Sequence, residues 1–268
     1  MKSDMKCDMK LRVVPPKTRL TRITIAATAV FIFAASLWYL NLDFARFISR
    51  LGNAPRILRL LMQVDTAVIL PGLQQFFISF AMGVTGLILG GILAIILAFL
   101  AAENIAPWKP LAIFIKAYVS VVRAVPGLVI MLMIVAAIGL GYTTGVVGLT
   151  ISSMGYLTKA FIATIEEQDR GIITAMRTTG ASWGQIVLHG ILPSAATGFL
   201  SWIAIRLETS VAESITLGVV GAGGIGALLA RSIRQHNFAS ITMLILIIFV
   251  CMFALELVVN HVRKKFSW

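Results

Sequence analysis

From Phe76 to Ala101 the chain carries no charged side chain. A helix needs about 20 apolar residues to cross a bilayer, and a run of this kind has no natural place in the core of a small soluble domain. Comparable apolar stretches recur at Ile23–Leu42, Leu111–Leu140, Gly145–Ala163, from Pro193 onward, and at Ile241–Asn260. Of the 268 residues, 59% are hydrophobic and only 13% are charged, with a mean hydropathy of +0.94. Soluble domains carry roughly 25% charged residues. One soluble core of this length cannot hide the excess apolar surface. Disordered chains, disulfide scaffolds and ordinary cytosolic enzymes are excluded. The chain reads as an all-α polytopic membrane protein with about six spans and no large domain outside the bilayer.

The intervals between spans set the organisation. Residues 1–22 form a polar, basic tail, and the apolar run after it lacks a small-residue cleavage site, so it reads as an uncleaved first span. Residues 43–68 interleave Phe44, Phe47, Ile48 and Leu51 with Arg46, Arg50, Arg56 and Arg59, as an interfacial segment divided near Pro55 would. Residues 69–268 hold the remaining spans. Gly86 and Gly90 have a small-xxx-small spacing that permits close helix contact. The third span is expected to break near Pro126. Residues 164–192 are the longest polar interval after the first span.

Six spans place both termini on one side, and both tails are basic, so both are expected in the cytoplasm with loops 102–110 and 164–192. Residues 43–68 and 227–240 then face outside. The net charge of +12 is accounted for by orientation, lipid headgroups and anionic partners rather than by nucleic acid. Cys7 and Cys251 form no disulfide framework. Neither His189 nor His236 has partners at metal-ligand spacing, and nothing resembles a nucleophile–base pair, so neither a metal nor a catalytic residue is expected.

Charges inside spans are costly and face a cavity or a partner. Arg206, Thr209, Ser210 and Glu213 follow an i, i+3, i+4, i+7 spacing and read as one face lining a path; the structural alternative is a buried salt network between helices. Glu208 points elsewhere, while Lys116 and Arg123 share a face of the third span. Gly221-Ala222-Gly223-Gly224-Ile225-Gly226 satisfies G-x-G-x-x-G. It follows a span rather than a strand, and basic residues follow it, so a dinucleotide site is set aside. A tight packing turn and an anion-contacting turn both remain open for it.

Within the 164–192 interval stands Thr174-Ala175-Met176, three residues, Gly180, then Leu192-Pro193. This resembles the coupling loop of ABC importer permeases, whose pattern is Glu-Ala-Ala, three residues, Gly, nine residues, Ile, one residue, Leu-Pro. Thr174 stands where the family has Glu, and Gly190 where it has Ile. Arg206-Leu207-Glu208-Thr209-Ser210-Val211, the Leu217–Gly226 stretch, Ala102-Glu103-Asn104 with Pro107-Trp108, and Arg123-Ala124-Val125-Pro126 resemble the phosphonate-type branch of that family. The likeness covers roughly residues 70–265.

The resemblance implies a type I importer permease in a bacterial inner membrane. A second permease subunit, the same or homologous, would pair with it. Two ATPase subunits would dock on Thr174, Ala175, Met176, Arg177, Gly180, Ala181, Ser182 and Trp183. The apolar residues Ile172, Ile173, Met176, Trp183, Ile186 and Val187 are expected to face that ATPase, and Gly180 is expected to need either a positive φ or the absence of a side chain. An extracytoplasmic binding protein would deliver a phosphonate or a reduced phosphorus oxyanion. ATP and Mg would be used by the partner, with no cofactor on this chain. The substrate path would include Arg206, Ser210, Glu213, Glu208, Arg123, Gly221, Gly223 and Gly224. Where the branch carries an Arg, this chain has Ala212; Glu208 must then find another cation, be protonated or reach water, and it is expected to pair with Arg123 or Lys116, leaving Arg206 free to face an anion beside Ser210, while Glu213 would repel an anion, hold Arg206 in place or act as a gate. Permeases for other solutes such as amino acids, and a transporter or channel working alone, are the rival readings.

Overall fold

The structure is a computed structural model and describes residues 17–40 and 43–266. Cys7 and residues 1–16 of the basic tail lie outside the described residues. Contacts divide the chain into two compact units, residues 1–58 and 59–268.

The first unit holds α1 (Lys17–Tyr39) and α2 (Phe44–Leu51). Asp43 starts α2: its carboxylate accepts the Arg46 N–H at 2.9 Å and pairs with the Arg46 side chain. Phe44, Phe47, Ile48 and Leu51 are all exposed along one face of α2. The next helix, α3 (Ala54–Leu61), carries Pro55 in its first turn. The break therefore falls at Gly52–Asn53, just before the proline, which suits a residue pre-set for a helix N-terminus.

In the second unit a 3₁₀ turn (Thr66–Val68) leads into α4 (Ile69–Ala101). Asp65 caps the turn through the Ala67 N–H and also accepts the Ser240 hydroxyl at 2.9 Å. There follow α5 (Lys109–Ala124), α6 (Gly127–Ile138), α7 (Tyr142–Glu166), α8 (Arg170–Thr178), α9 (Trp183–Gln185), α10 (Leu192–Leu217), α11 (Gly224–Arg234) and α12 (Phe238–Phe266). The described residues contain no strand. Five helical segments are long and apolar enough to cross a membrane; a sixth span is obtained if α5 and α6 count as one.

The break expected near Pro126 is present and sharp: α5 and α6 meet at 91°. Val125 is extended, as a residue before proline must be, and Pro126 opens α6. The fifth span does not start at Pro193. That expected start is corrected: helix already begins at Trp183 and continues through Pro193, with a π segment (Ile186–Ile191) before the proline, and the helical conformation is interrupted only at Gly221, φ +115°. Pro193 lacks an N–H and crowds the carbonyl four residues back; the wider π turn absorbs both defects.

The core is built on α4 against α7. A Cβ on Gly86 would lie 2.5 Å from Leu149 Cβ, and one on Gly90 would lie 2.6 Å from the Thr150 carbonyl. Those glycines let the backbones touch, as their spacing predicts. Leu87, Ala94, Ala98, Leu157, Phe161 and Ile165 fill the seam below them. Helix α10 closes on α4 where Val211 meets Gly83 and Ser210 donates its hydroxyl to the Gly83 carbonyl at 2.9 Å. The apolar residues Ile113, Phe114, Val121, Phe249, Val250 and Phe253 remain exposed, as lipid-facing residues of spans do.

Candidate functional site

Midway along α7 and α10 lies a cleft of about 200 Å³ lined by Arg123, Gly127, Ser152, Tyr156, Arg206 and Glu213, among others. Arg206 is buried, its side chain 4% exposed. Its guanidinium forms a two-pronged ion pair with Glu213, both N–O distances being 2.7 Å. Its remaining N–H groups reach Ser153 Oγ at 3.2 Å, Thr209 Oγ1 at 3.3 Å and Ser152 Oγ at 2.9 Å. A guanidinium has five N–H donors, and all of them are taken. Ser152 in turn donates to Glu213 at 3.1 Å.

Tyr156 offers its ring to two cations. The Arg206 Cζ lies 5.4 Å from its ring centroid, and the Arg123 Cζ lies 5.8 Å from it. Trp202 holds the ring by an edge contact and is itself tied to Thr164 Oγ1 at 3.2 Å. Arg123 occupies the last turn of α5, where a cation complements the carbonyl end of a helix. No carboxylate among the described residues lies within 4.0 Å of Arg123.

These positions revise the expected pairings. Arg206 is not free, because Glu213 holds it. Glu208 pairs with neither Arg123 nor Lys116; among the described residues it has no ion pair. Lys116 is bound to Glu103 at 2.8 Å and to Glu166 at 3.0 Å. Ser210 is fully buried and turned to Gly83, away from the Arg206 group. Gly221, Gly223 and Gly224 do not line this cleft. They have positive φ and pack on Leu140, Tyr142 and Ser79, with the Ile225 N–H donating to Ser79 Oγ at 3.1 Å. Gly223 and Gly224 border a separate cleft of about 460 Å³ with Gln75, Tyr142 and Arg231.

At the other end of α7, the 164–192 interval folds as α8, a turn, and the start of the long helix. Asp169 caps α8 through the Gly171 N–H at 2.8 Å. The helix ends in a Schellman motif: the Gly180 N–H donates to the Arg177 carbonyl and the Ala181 N–H to the Met176 carbonyl. Gly180 has φ +80°, with nothing within 4 Å of where a Cβ would be, so conformation alone requires glycine there. Ser182 and Gln185 form the capping box of the next helix. Forcing a β-branched residue into the left-handed region costs about 1–2 kcal/mol. Gly180→Val is therefore expected to lower uptake per assembled complex at least threefold, while Gly180→Asn stays near wild type; equal loss in both variants would point to a packing role.

The expected apolar docking face is also corrected. Ile173, Ile186 and Val187 are buried in the chain's own core, and Met176 packs on Gly190. The surface left open carries Thr174, Ala175 and Arg177. Trp183 donates its indole N–H to the Ile105 carbonyl at 2.8 Å, tying this loop to the α4–α5 turn. That turn is fixed again by the Glu103 N–H on Glu166 and by Asn104 on the Ile165 carbonyl. Ser152, Ser153, Tyr156 and the contacts that join Glu103, Asn104 and Trp183 escaped the sequence reading; the signal for the first three was a set of polar residues at i, i+1 and i+4 inside a span.

The Met176–Gly190 contact explains the Gly190 departure together with Met176, which stands at the second Ala of the pattern; it does not bear on Thr174. A Cβ on Gly190 would lie 2.6 Å from Met176 Sδ. A large residue at 176 and none at 190 exchange the volumes of the family's Ala and Ile. Gly190→Ile alone should cost about 1–3 kcal/mol by overpacking. Adding Met176→Ala should recover most of it in thermal denaturation of the purified protein, and additive losses would refute the exchange.

Residues 90–268 match the model of the binding-protein-dependent transport system inner membrane component family. The chain belongs to that family. It is 36% identical to the phosphate-import permease protein PhnE of Mycolicibacterium smegmatis over 185 residues, covering 69% of this chain and 35% of that protein. It thus spans about a third of that relative's length. It is 28% identical to the phosphite transport system permease protein PtxC of Stutzerimonas stutzeri, covering 86% of this chain and 84% of that one. Among solved structures, the inward-facing MetNI methionine ABC transporter matches with a TM-score of 0.66 at 19% identity, over 76% of this chain and all of that one. The family and the type I permease fold are those of an inner-membrane transport component, not of an enzyme.

Proposed function

We propose that this chain is the membrane-spanning subunit of an ATP-driven, binding-protein-dependent importer for phosphonate or a reduced phosphorus oxyanion. The observation that carries the reading is the charge of the cleft between α5, α7 and α10. Two guanidiniums border it and only one carboxylate does, so it offers a cation to an incoming anion and no free carboxylate to an ammonium group. Relatives named for phosphate and phosphite transport support the same substrate class.

In this proposal two ATPase subunits, using ATP and Mg, dock against Thr174, Ala175 and Arg177 of α8. Closure of the ATPases moves α8, and Trp183 carries the motion to the α4–α5 turn through Ile105. A second permease subunit, the same or homologous, completes the path. An extracytoplasmic protein delivers the solute, and both termini face the cytoplasm. The deciding experiment reconstitutes the complex in proteoliposomes and measures ATP hydrolysis and uptake with phosphite, methylphosphonate, phosphate, methionine and glutamine. Stimulation by phosphorus oxyanions alone supports the reading. Stimulation by an amino acid alone, or uptake without any ATPase subunit, refutes it.

A further inference from the structure

We infer that Arg123 is the residue that meets the permeating anion, and that Arg206, despite its place in the same cleft, does not. This rests on the importer reading above and assigns the binding chemistry within it. Arg206 is coordinatively closed. Its five N–H groups go to Glu213, Ser152, Ser153 and Thr209, and the paired carboxylate cancels its charge. An anion could reach it only by displacing a buried two-pronged ion pair.

Arg123 is the opposite case. It lies over the Tyr156 ring, with Cζ 5.8 Å from the centroid. No hydrogen-bond acceptor among the described residues takes up its N–H groups, and the N–H edge of a guanidinium matches two oxygens on one tetrahedral or planar centre. The cleft therefore carries one positive charge with no carboxylate partner among the described residues, on an exposed arginine that an incoming anion can reach. The geometry around it suits a small anion. The 91° break at Pro126 places the first turn of α6, which has no side-chain cap, against the same cleft through Gly127. Broken helices at mid-membrane turn partial positive charge toward anionic groups in this way. The volume of about 200 Å³ holds roughly six waters at ~30 Å³ each, or one oxyanion with part of its hydration shell.

Placement of Arg123 depends on Gly155, since a Cβ there would lie 3.1 Å from Val122 Cγ1 and 3.4 Å from Arg123 Cγ. The absent side chain lets α5 approach α7, so that both guanidiniums share one ring. The ligand class follows: an oxyanion presenting at least two oxygens, with no requirement for an ammonium group.

The test uses the whole complex, with its ATPase and binding protein, in proteoliposomes. Uptake of radiolabelled phosphite, phosphate and methylphosphonate is compared for wild type, Arg123→Gln, Arg123→Lys and the double variant Arg206→Gln with Glu213→Gln, each normalised to assembled complex. Arg123→Gln is expected to lose at least tenfold for every anion that the wild type carries, and Arg123→Lys to recover part of that loss. The double variant is expected to lose less than threefold. Uptake by Arg123→Gln within twofold of wild type overturns the inference, whatever the double variant does. So does a folded double variant as impaired as Arg123→Gln. If the wild type carries none of the three anions but carries another oxyanion with the same dependence on Arg123, the assignment of Arg123 stands and the phosphorus reading falls. If it carries only a zwitterionic or neutral solute, both fall.

Discussion

Gly90→Val is expected to abolish accumulation of the folded protein. At Gly90 a Cβ would stand 2.6 Å from the Thr150 carbonyl oxygen, 2.8 Å from Ser153 Cβ and 2.9 Å from the Met154 nitrogen. Two of those three atoms belong to backbone and cannot rotate away. The helices would have to separate along the α4–α7 seam, which holds the centre of the core and positions Ser152 and Ser153 for the cleft. Overpacking a close contact costs about 3 kcal/mol at the upper end of its usual range, a large fraction of a domain's net stability. The next residue provides the control. A Cβ on Gly91 would meet only Leu157 Cδ1, at 3.7 Å. Gly91→Ala should be neutral, or stabilising by up to ~1 kcal/mol from helix propensity. The yield of folded protein from membranes, compared for wild type and the two variants, checks the pair, with the thermal midpoint of Gly91→Ala as its second readout; comparable losses in both variants would show that glycine matters there for flexibility rather than for contact.

The spans were legible because length and hydropathy dominate that decision in a bilayer. Pro126 marked a real break for the same local reason: it sits between two helices and constrains Val125. Pro193 misled, because proline is common at a helix start, and nothing local announces a π segment that lets a helix continue through it. The charged stripe shows where one-dimensional reasoning stops. At 3.6 residues per turn, Glu213 lies within about 20° of Arg206 around the helix, whereas Ser210 lies about 40° to the other side. That offset is enough for Ser210 to face Gly83 of α4 while Arg206 and Glu213 face α7. The i, i+7 pair was thus visible. Its closure was not, because Ser152, Ser153 and Tyr156 come from another helix. The apolar face of α8 was read as a partner surface for a similar reason: the surface it covers, around Gly190, lies after the turn and belongs to the same chain.

Removing the two members of the central ion pair should have unequal consequences. Glu213→Ala leaves Arg206, 4% exposed, with only hydroxyl acceptors and no counter-charge. An arginine cannot shed its proton, so the charge stays and the cost should fall in the 3–5 kcal/mol range for breaking a buried pair. Arg206→Ala leaves Glu213, whose side chain is 39% exposed and still holds the Ser152 hydroxyl. That carboxylate can recruit water through the cleft, so its loss of partner should cost about 2 kcal/mol, nearer the value for an exposed hydrogen-bonded charge. Replacing both by glutamine removes the charges while keeping amide donors and acceptors near Ser152 and Thr209, and should leave the protein more stable than Glu213→Ala alone. Thermal denaturation of the four purified proteins ranks them directly. Should Arg206→Ala prove the more damaging single change, the guanidinium acts mainly as a packing element against Tyr156, and the pair is not the electrostatic lock that its geometry describes.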